Sequence, residues 1–485
     1  MNLKMIGRLL SQLVTIEAAF MIPALCISLG YREWDSAAAM GISMGIMLAV
    51  AGLLWLFCRR GNRRFGPTEG MVSTGLGWVV LSLLGALPFW ISGAIPRYID
   101  ALFEIVSGFT TTGASILSSV EALPNGLLYW RSFSHWLGGM GVLVLLLAIV
   151  PSGGQGQGFT MHLLRAESPG PDVGKLVPKM KKTAAILDGL YVLLTLANIA
   201  FLLMGDMPLL DAVCTAFGTA GTGGFGIKND SMASYSPYIQ NVTTVFMAIF
   251  GVNFSCYYLL LLGNIKAVLK DEDLRLYLGL FLGATALIVL DIREMYGTLG
   301  EAIRHAAFQV STIMTTTGFA TTDFDTWSMF SKGILMLLMV VGACAGSTGG
   351  GLKCSRVLLL FKSLGRNIRQ VTNPKKVEVV RINHKAVSET VLDNTNAYLA
   401  AYVIILVSSF LILNLDGNTI GTTFTAVLAC FNNIGPGLEA VGPTCNYGFF
   451  SDFSKITLIF DMLAGRLEIF PMLILFSRVT WKRLR

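Results

Sequence analysis

Apolar residues run along this chain in long blocks rather than in the alternation of strands or the single stripe of a soluble helix. Ten blocks can cross a hydrocarbon core of ~30 Å, which takes about 20 residues. They lie at 5–30, 37–58, 70–92, 127–150, 183–205, 241–265, 274–292, 333–361, 396–417 and 456–478. Between alternate pairs lie segments too short, or too interrupted by Gly and Thr, to span. The pattern predicts an all-α polytopic membrane protein.

Composition agrees. The chain is 54% hydrophobic and 13% charged, against roughly 25% charged in soluble domains. Its net charge of +7 comes from 36 basic and 29 acidic residues, and the basic ones cluster in every second connection. "CRRGNRRF" follows the second block, "RAESPGPDVGKLVPKMKK" the fourth and "NIKAVLKDEDLR" the sixth. "KSLGRNIRQVTNPKKVEVVRINHK" follows the eighth, and "RVTWKRLR" closes the chain. By the positive-inside rule these connections and both termini are cytoplasmic. Lys4 and Arg8 precede the first block with no small-residue cleavage site after it, so that block reads as a membrane helix and not a signal peptide. The eight cysteines form no C-x-x-C and the four histidines no H-E-x-x-H. A disulfide framework, a zinc site and a membrane metalloprotease are therefore not expected. No convergent set of acids and bases points to an enzyme. The basic linkers 165–182 and 362–385 suit anionic lipid or an acidic protein surface, and nucleic acid is not an expected partner.

The connections on the other side carry a recurring Gly/Thr knot. "ALFEIVSGFTTTGAS" (101–115), "AVCTAFGTAGTGGFG" (212–226) and "AAFQVSTIMTTTGFAT" (306–321) are alike, and "TAVLACFNNIGPGLE" (425–439) is a plainer fourth. Gly221, Gly223 and Gly226 spell G-x-G-x-x-G, but without a preceding strand in a soluble βαβ unit this is no dinucleotide fingerprint. Aligning Gly113 with Gly318 matches Ala101 to Ala306, Phe103 to Phe308 and Thr110–Thr112 to Thr315–Thr317. The same reading sets Thr222-Gly223, then Ile434-Gly435, opposite Thr112-Gly113. The unit is span, short re-entrant helix, knot, span, four times at intervals of about a hundred residues, an internal repeat.

Non-helical backbone at membrane depth is stable only when buried in protein or lining a water-filled cavity. Four re-entrant helices meeting on one axis would aim their partly negative C-terminal ends at a cation. Backbone carbonyls and threonine hydroxyls beyond them can replace an ion's hydration shell. The expected ion contacts are Thr111, Thr112 and Gly113; Gly221, Thr222 and Gly223; Thr316, Thr317 and Gly318; and Asn433, Ile434 and Gly435.

A second irregularity interrupts the eighth block: "GACAGSTGGGLKCS" (342–355). Each glycine costs a helix about 1 kcal/mol relative to alanine. Leu352 stands where a Walker A loop requires lysine, so nucleotide binding is not expected here. Two readings remain: a small-residue helix-packing face, or an unwound segment crossing the pathway just inside the knots. The second would make Gly346, Ser347, Thr348, Gly349, Gly350, Gly351 and Lys353 a gate. In the last block Asp461, Arg466 and Glu468 lie at membrane depth. Such charges form a structural pair or face an aqueous path.

At these residues the chain resembles the TrkH/KtrB/HKT superfamily of potassium transporters, within it the TrkH branch, because two extra spans precede the four repeats. The resemblance implies four pore repeats around one central pore, with one filter glycine per loop: Gly113, Gly223, Gly318 and Gly435. Glycine at all four implies potassium, the transported ion, with no cofactor held by the chain. Asn433-Ile434 departs from the threonines of the family pattern. The resemblance also implies a mobile intramembrane loop at 342–355, with Arg466 as an electrostatic barrier. It implies a bacterial inner-membrane location, a homodimer in the lipid bilayer, and a cytosolic TrkA-like subunit that binds nucleotide. The expected divisions are two N-terminal helices (1–66), repeat 1 (67–152), a cytoplasmic linker (153–182), repeat 2 (183–268), repeat 3 (269–365), a linker (366–392) and repeat 4 (393–485). The competing expectation is a secondary cation symporter with a midplane site. It calls for inverted halves, whereas these repeats run parallel.

Overall fold

The computed structural model describes residues 2–59, 66–141, 180–375 and 378–482, without the side chains of 180–184. The end of the expected fourth span, most of the basic connection after the second span and nearly all of linker 153–182 fall outside these residues.

A triplet of outer, short and inner helix recurs four times. The outer helices are Pro67–Gly85 with Leu87–Ile91, then Met180–Leu203, Glu272–Ile292 and Glu389–Leu413. The short helices are Tyr98–Phe109, Leu209–Gly221, Leu299–Met314 and Ile420–Phe431, and the inner helices begin with Asn125–Met140, Pro237–Phe250, Met329–Val341 and Asp452–Arg466. Among the described residues six helices are long and apolar enough to cross a membrane, and the pair Pro237–Phe250 and Phe254–Leu261, bent by 89°, makes a seventh. Outer-helix residues such as Leu196, Leu282 and Ile404 are exposed, the condition of side chains that face lipid.

Local chemistry starts each element. Thr298 and Thr419 cap short helices by accepting the amides of Glu301 and Thr422, while Asp100, Asp211 and Glu301 sit in first turns, where an anion complements the helix dipole. Ser236, Ser328 and Ser451 cap three inner helices. Each inner helix packs on the short helix of the next repeat, and the fourth packs on the first, so the packing closes into a ring. The two N-terminal spans, Leu3–Gly30 and Trp34–Cys58, pack on repeat 1 outside this ring.

Two features differ from expectation. The sixth and tenth apolar blocks are not continuous helices, whereas the eighth breaks where the glycine run at 342–355 interrupts it. The breaks fall at Gly251–Asn253, at Gly342 (φ 72°), and at Glu468 and Ile469 (φ 59° and 64°). Hydropathy does not register the first and the last because the flanking residues stay apolar. The connection after the eighth block, read from sequence only as a basic linker, holds regular structure: helix Cys354–Thr372 extends into it, and the strands Arg381–Ile382 and Lys385–Ala386 form an antiparallel hairpin. Asn383 and His384, with φ 49° and 64°, make the tight turn that suits the twist of a two-residue hairpin. Asn383 ties this hairpin to the third outer helix, accepting from the Glu272 amide and donating to Asp271, both at 2.8 Å.

Candidate functional site

All four short helices end in the same way. The amides of Thr111, Thr222, Thr316 and Asn433 donate to the carbonyls three residues back, and those of Thr112, Gly223, Thr317 and Ile434 to the carbonyls five back. This is the Schellman ending. Thr111, Thr222, Thr316 and Asn433 accordingly adopt left-handed φ of 55–60°, where a non-glycine residue pays ~1–2 kcal/mol. Two residues later Gly113, Gly224, Gly318 and Gly435 have φ of 70–92°.

The second loop is therefore out of register with the sequence alignment by one residue. Thr222 is the counterpart of Thr111 rather than Thr112, Gly223 that of Thr112, and Gly224, not Gly223, that of Gly113. Gly221 is the last residue of its helix and lies against the backbone of His135. Composition could not settle this, because Thr-Gly-Gly offers two glycines and only backbone handedness separates them.

In this register the loops close a cycle. A Cβ built on Gly113 would strike the carbonyl oxygen of Gly223, one on Gly224 that of Thr317, one on Gly318 that of Ile434, and one on Gly435 that of Thr112. Each of these glycines thus abuts, in the next loop, the carbonyl of the residue that precedes that loop's own glycine, and the four contacts close on themselves. The threonine hydroxyls behave less uniformly than expected. Those of Thr112 and Thr317 turn back to Thr110 and Thr315 at 2.8 Å, and that of Thr222 bonds the Gly221 carbonyl. The Thr111 hydroxyl is buried without a hydrogen-bond partner. In the fourth loop Asn433 donates to the Thr112 hydroxyl at 3.0 Å and to the Met462 carbonyl, and Tyr447 donates to the Gly435 carbonyl at 2.6 Å.

The glycine-rich break lies directly against the start of these loops. The Gly350 amide donates to the Thr316 hydroxyl at 2.6 Å. A Cβ on Gly349 would meet the Thr315 carbonyl at 2.8 Å, and one on Gly350 would strike that of Asn432. The loop's other edge is held by the bent second inner helix: Phe254 donates to Gly346 at 3.0 Å, and Thr348 to Phe250 at 3.3 Å. Ser347 closes back on Cys344 at 2.7 Å, Lys353 donates to Gly349, and Gly351 packs on Gly342. This segment is unwound, not a helix-packing face. Arg466 donates to Thr348 at 2.7 Å and to Gly138 at 2.5 Å, joining the fourth and first repeats to the loop. Of its expected acidic partners, Glu468 pairs with Arg356, and Asp461 accepts from Ser409 at 2.7 Å.

Three features behind the loops were not singled out from sequence. Glu104 and Arg131, both buried, pair at 2.6 Å; Glu104 accepts from Ser115 and Ile116 past the first loop, and Arg131 donates to Gly226 past the second. Arg131 also lies 3.5 Å from the Phe225 ring centroid. His135 meets Gly108 and Phe225. Asp273 accepts the Ala345 amide at 3.1 Å, anchoring the start of the glycine-rich segment. The available signal was the run Arg131–His135 on an apolar helix, since a charge buried in a membrane requires a partner.

Residues 38–482 match the family model described as TrkH, cation transport protein. Two relatives, the Trk system potassium uptake proteins TrkH of Salmonella typhimurium strain LT2 and Escherichia coli strain K12, are each 35% identical over 488 residues, covering 99% of this chain and 100% of theirs. The crystal structure of the potassium transporter TrkH from Vibrio parahaemolyticus superposes with a TM-score of 0.89 at 30% identity, over 99% of this chain and 100% of that one. The chain belongs to the TrkH family of cation transport proteins: it is a polytopic membrane transporter of the Trk potassium-uptake type, and not an enzyme.

Proposed function

We propose that this chain is the ion-conducting subunit of a Trk-type potassium uptake system, with a filter built from its four loops and a gate at 346–353. The cyclic contact of Gly113, Gly224, Gly318 and Gly435 with the neighbouring carbonyls supports the filter most directly. Four carbonyls at one level, from Thr112, Gly223, Thr317 and Ile434, replace the hydration shell of a dehydrated cation. The short-helix C-termini add partial negative charge. Potassium is the ion named for the curated relatives. The four divisions 67–152, 183–268, 269–365 and 393–485 are read as pore repeats around that axis.

The gate reading rests on the Gly350–Thr316 contact and on Arg466, whose guanidinium is bound to the Thr348 carbonyl and in this reading opposes cation entry in a medium that screens it weakly. Both termini and the basic connections are read as cytoplasmic. In this reading two copies of the chain assemble in the inner membrane and a cytosolic nucleotide-binding, TrkA-like subunit acts on the gate from the basic face.

The test is ion flux in proteoliposomes holding the purified chain alone, with potassium, rubidium and sodium compared. Potassium flux above sodium flux is expected, with loss of that preference in Gly113→Ser. Equal fluxes in both proteins would refute the filter. Cysteines replacing Asn62 or Gln370 should label only from the cytoplasm, and one replacing Asp323 only from outside.

A further inference from the structure

We propose that His135 takes the place of the side chain the second filter loop lacks, and is the positioning residue that holds that loop in the fourfold ring. The inference rests on the filter reading above. At the carbonyl level of the ring, three loops carry side chains, on Thr112, Thr317 and Ile434, whereas the second carries Gly223. That space is filled. A Cβ on Gly223 would fall onto Nδ1, Cγ and Cε1 of the His135 imidazole, closer than any side chain can approach.

The ring's hydrogen bonds fix it there. Nδ1 lies 2.9 Å from the Gly108 carbonyl, which can only accept, and Nε2 lies 3.3 Å from the Phe225 amide, which can only donate. The imidazole therefore carries its proton on Nδ1 and is neutral. Gly108 also accepts the Thr111 amide in the ending of the first short helix. His135 thus joins the backbone turn of loop one to the residue immediately after Gly224 in loop two. Its centroid stands 4.2 Å from that of Phe225, whose ring also carries the Arg131 guanidinium. The glycines at 138 and 139 let the helix reach this depth, since a Cβ on either would strike the backbone of Phe109 or Gly221. Loops three and four do not touch His135 in any of these contacts.

The arrangement makes a reciprocal claim. Gly223→Thr gives loop two the residue found in loops one and three, but the imidazole excludes it. His135→Ala empties the space and frees the Phe225 amide. Each single change should lower the potassium-to-sodium flux ratio about tenfold, an energy coupling of ordinary size for touching residues. The double variant His135→Ala/Gly223→Thr should recover about threefold over Gly223→Thr and stay about threefold below the unaltered protein, because threonine fills the space without replacing the bonds to Gly108 and Phe225. His135→Gln, which offers one donor and one acceptor, should retain the ratio, and His135→Leu, of similar bulk without either, should lower it by about the same threefold.

Flux is measured on proteoliposomes of the full chain, after monodispersity and thermal unfolding in detergent show each protein folded. A double variant no better than Gly223→Thr, or a His135→Leu that keeps the ratio, would overturn the proposal. If a His135 variant fails to fold, the comparison of Gly223→Thr with Gly223→Ser decides. Both must lose the ratio if the imidazole fills that space, and either keeping it refutes the claim. Gly318→Ser, remote from His135, separates the two readings. If it leaves the ratio intact the filter itself is wrong; if it loses the ratio while His135→Leu does not, only this inference fails.

Discussion

The guanidinium of Arg466 donates to the carbonyl of Thr348 at 2.7 Å, so a cation of the last inner helix is tied to the middle of the glycine-rich segment. Loop and charge form one assembly. A hydrogen bond to a charged group contributes about 1.5–3 kcal/mol, and 1.4 kcal/mol is about a factor of ten in an equilibrium. Arg466→Ala should therefore raise basal potassium flux about tenfold without changing which ion is preferred. The check is flux without any cytosolic subunit; unchanged low flux in folded protein would remove Arg466 from the barrier.

Register in the second loop has its own consequence. Gly224, with φ 70°, is the counterpart of Gly113, and its built Cβ meets the Thr317 carbonyl. Gly224→Ser should depress potassium preference to the same degree as Gly113→Ser, Gly318→Ser and Gly435→Ser, each of which is expected to lower it. Part of that effect is the ~1–2 kcal/mol that a non-glycine residue pays in left-handed backbone. Relative fluxes of potassium and sodium across the four variants check it, and a Gly224→Ser protein with native selectivity would restore the other alignment.

What the sequence made legible follows from where the information lies. Thr-Thr-Thr-Gly at 110–113 and 315–318 advertises two loops outright, and alternating basic connections place the rest between spans. The break at Gly342 was visible because glycines crowd there; the bend at Gly251–Asn253 and the turn at Glu468-Ile469 were not, because the neighbouring residues remain apolar. Gly224 was hidden by its neighbour Gly223. His135 and Tyr447 were hidden because their partners, Phe225 and Gly435, belong to other segments, and nothing local marks a side chain that serves distant backbone.

Thr316 links the third loop and the glycine-rich segment through one hydroxyl, which accepts the Gly350 amide at 2.6 Å. Thr316→Val keeps the shape and removes the acceptor, leaving a buried amide unpaired at about 1–3 kcal/mol. Basal flux should rise roughly tenfold, whereas Thr316→Ser should behave as the unaltered protein. Parallel flux measurements decide, and equal behaviour of Val and Ser would show that this contact does not hold the segment in place.

The Glu104–Arg131 pair predicts a stability effect with a definite asymmetry. Both side chains are almost fully buried, at 0% and 2% exposure, and each also holds the backbone beyond one loop: Ile116 by Glu104, Gly226 by Arg131. Removing one member of a buried pair strands the other charge, which costs about 3–5 kcal/mol. Arg131→Met should therefore lower the unfolding midpoint in detergent more than any change at the exposed pair Arg97–Asp452, because surface pairs contribute only about 0–1 kcal/mol. Glu104→Gln added to Arg131→Met should recover part of the loss, since the amide needs no counter-charge and still accepts from the Ile116 amide. Recovery should stay incomplete, because Gly226 and the Phe225 ring keep no cation. Thermal unfolding of the four proteins in one detergent measures this directly. A double variant less stable than Arg131→Met would mean that Glu104 acts through its hydrogen bonds to loop one rather than through its charge.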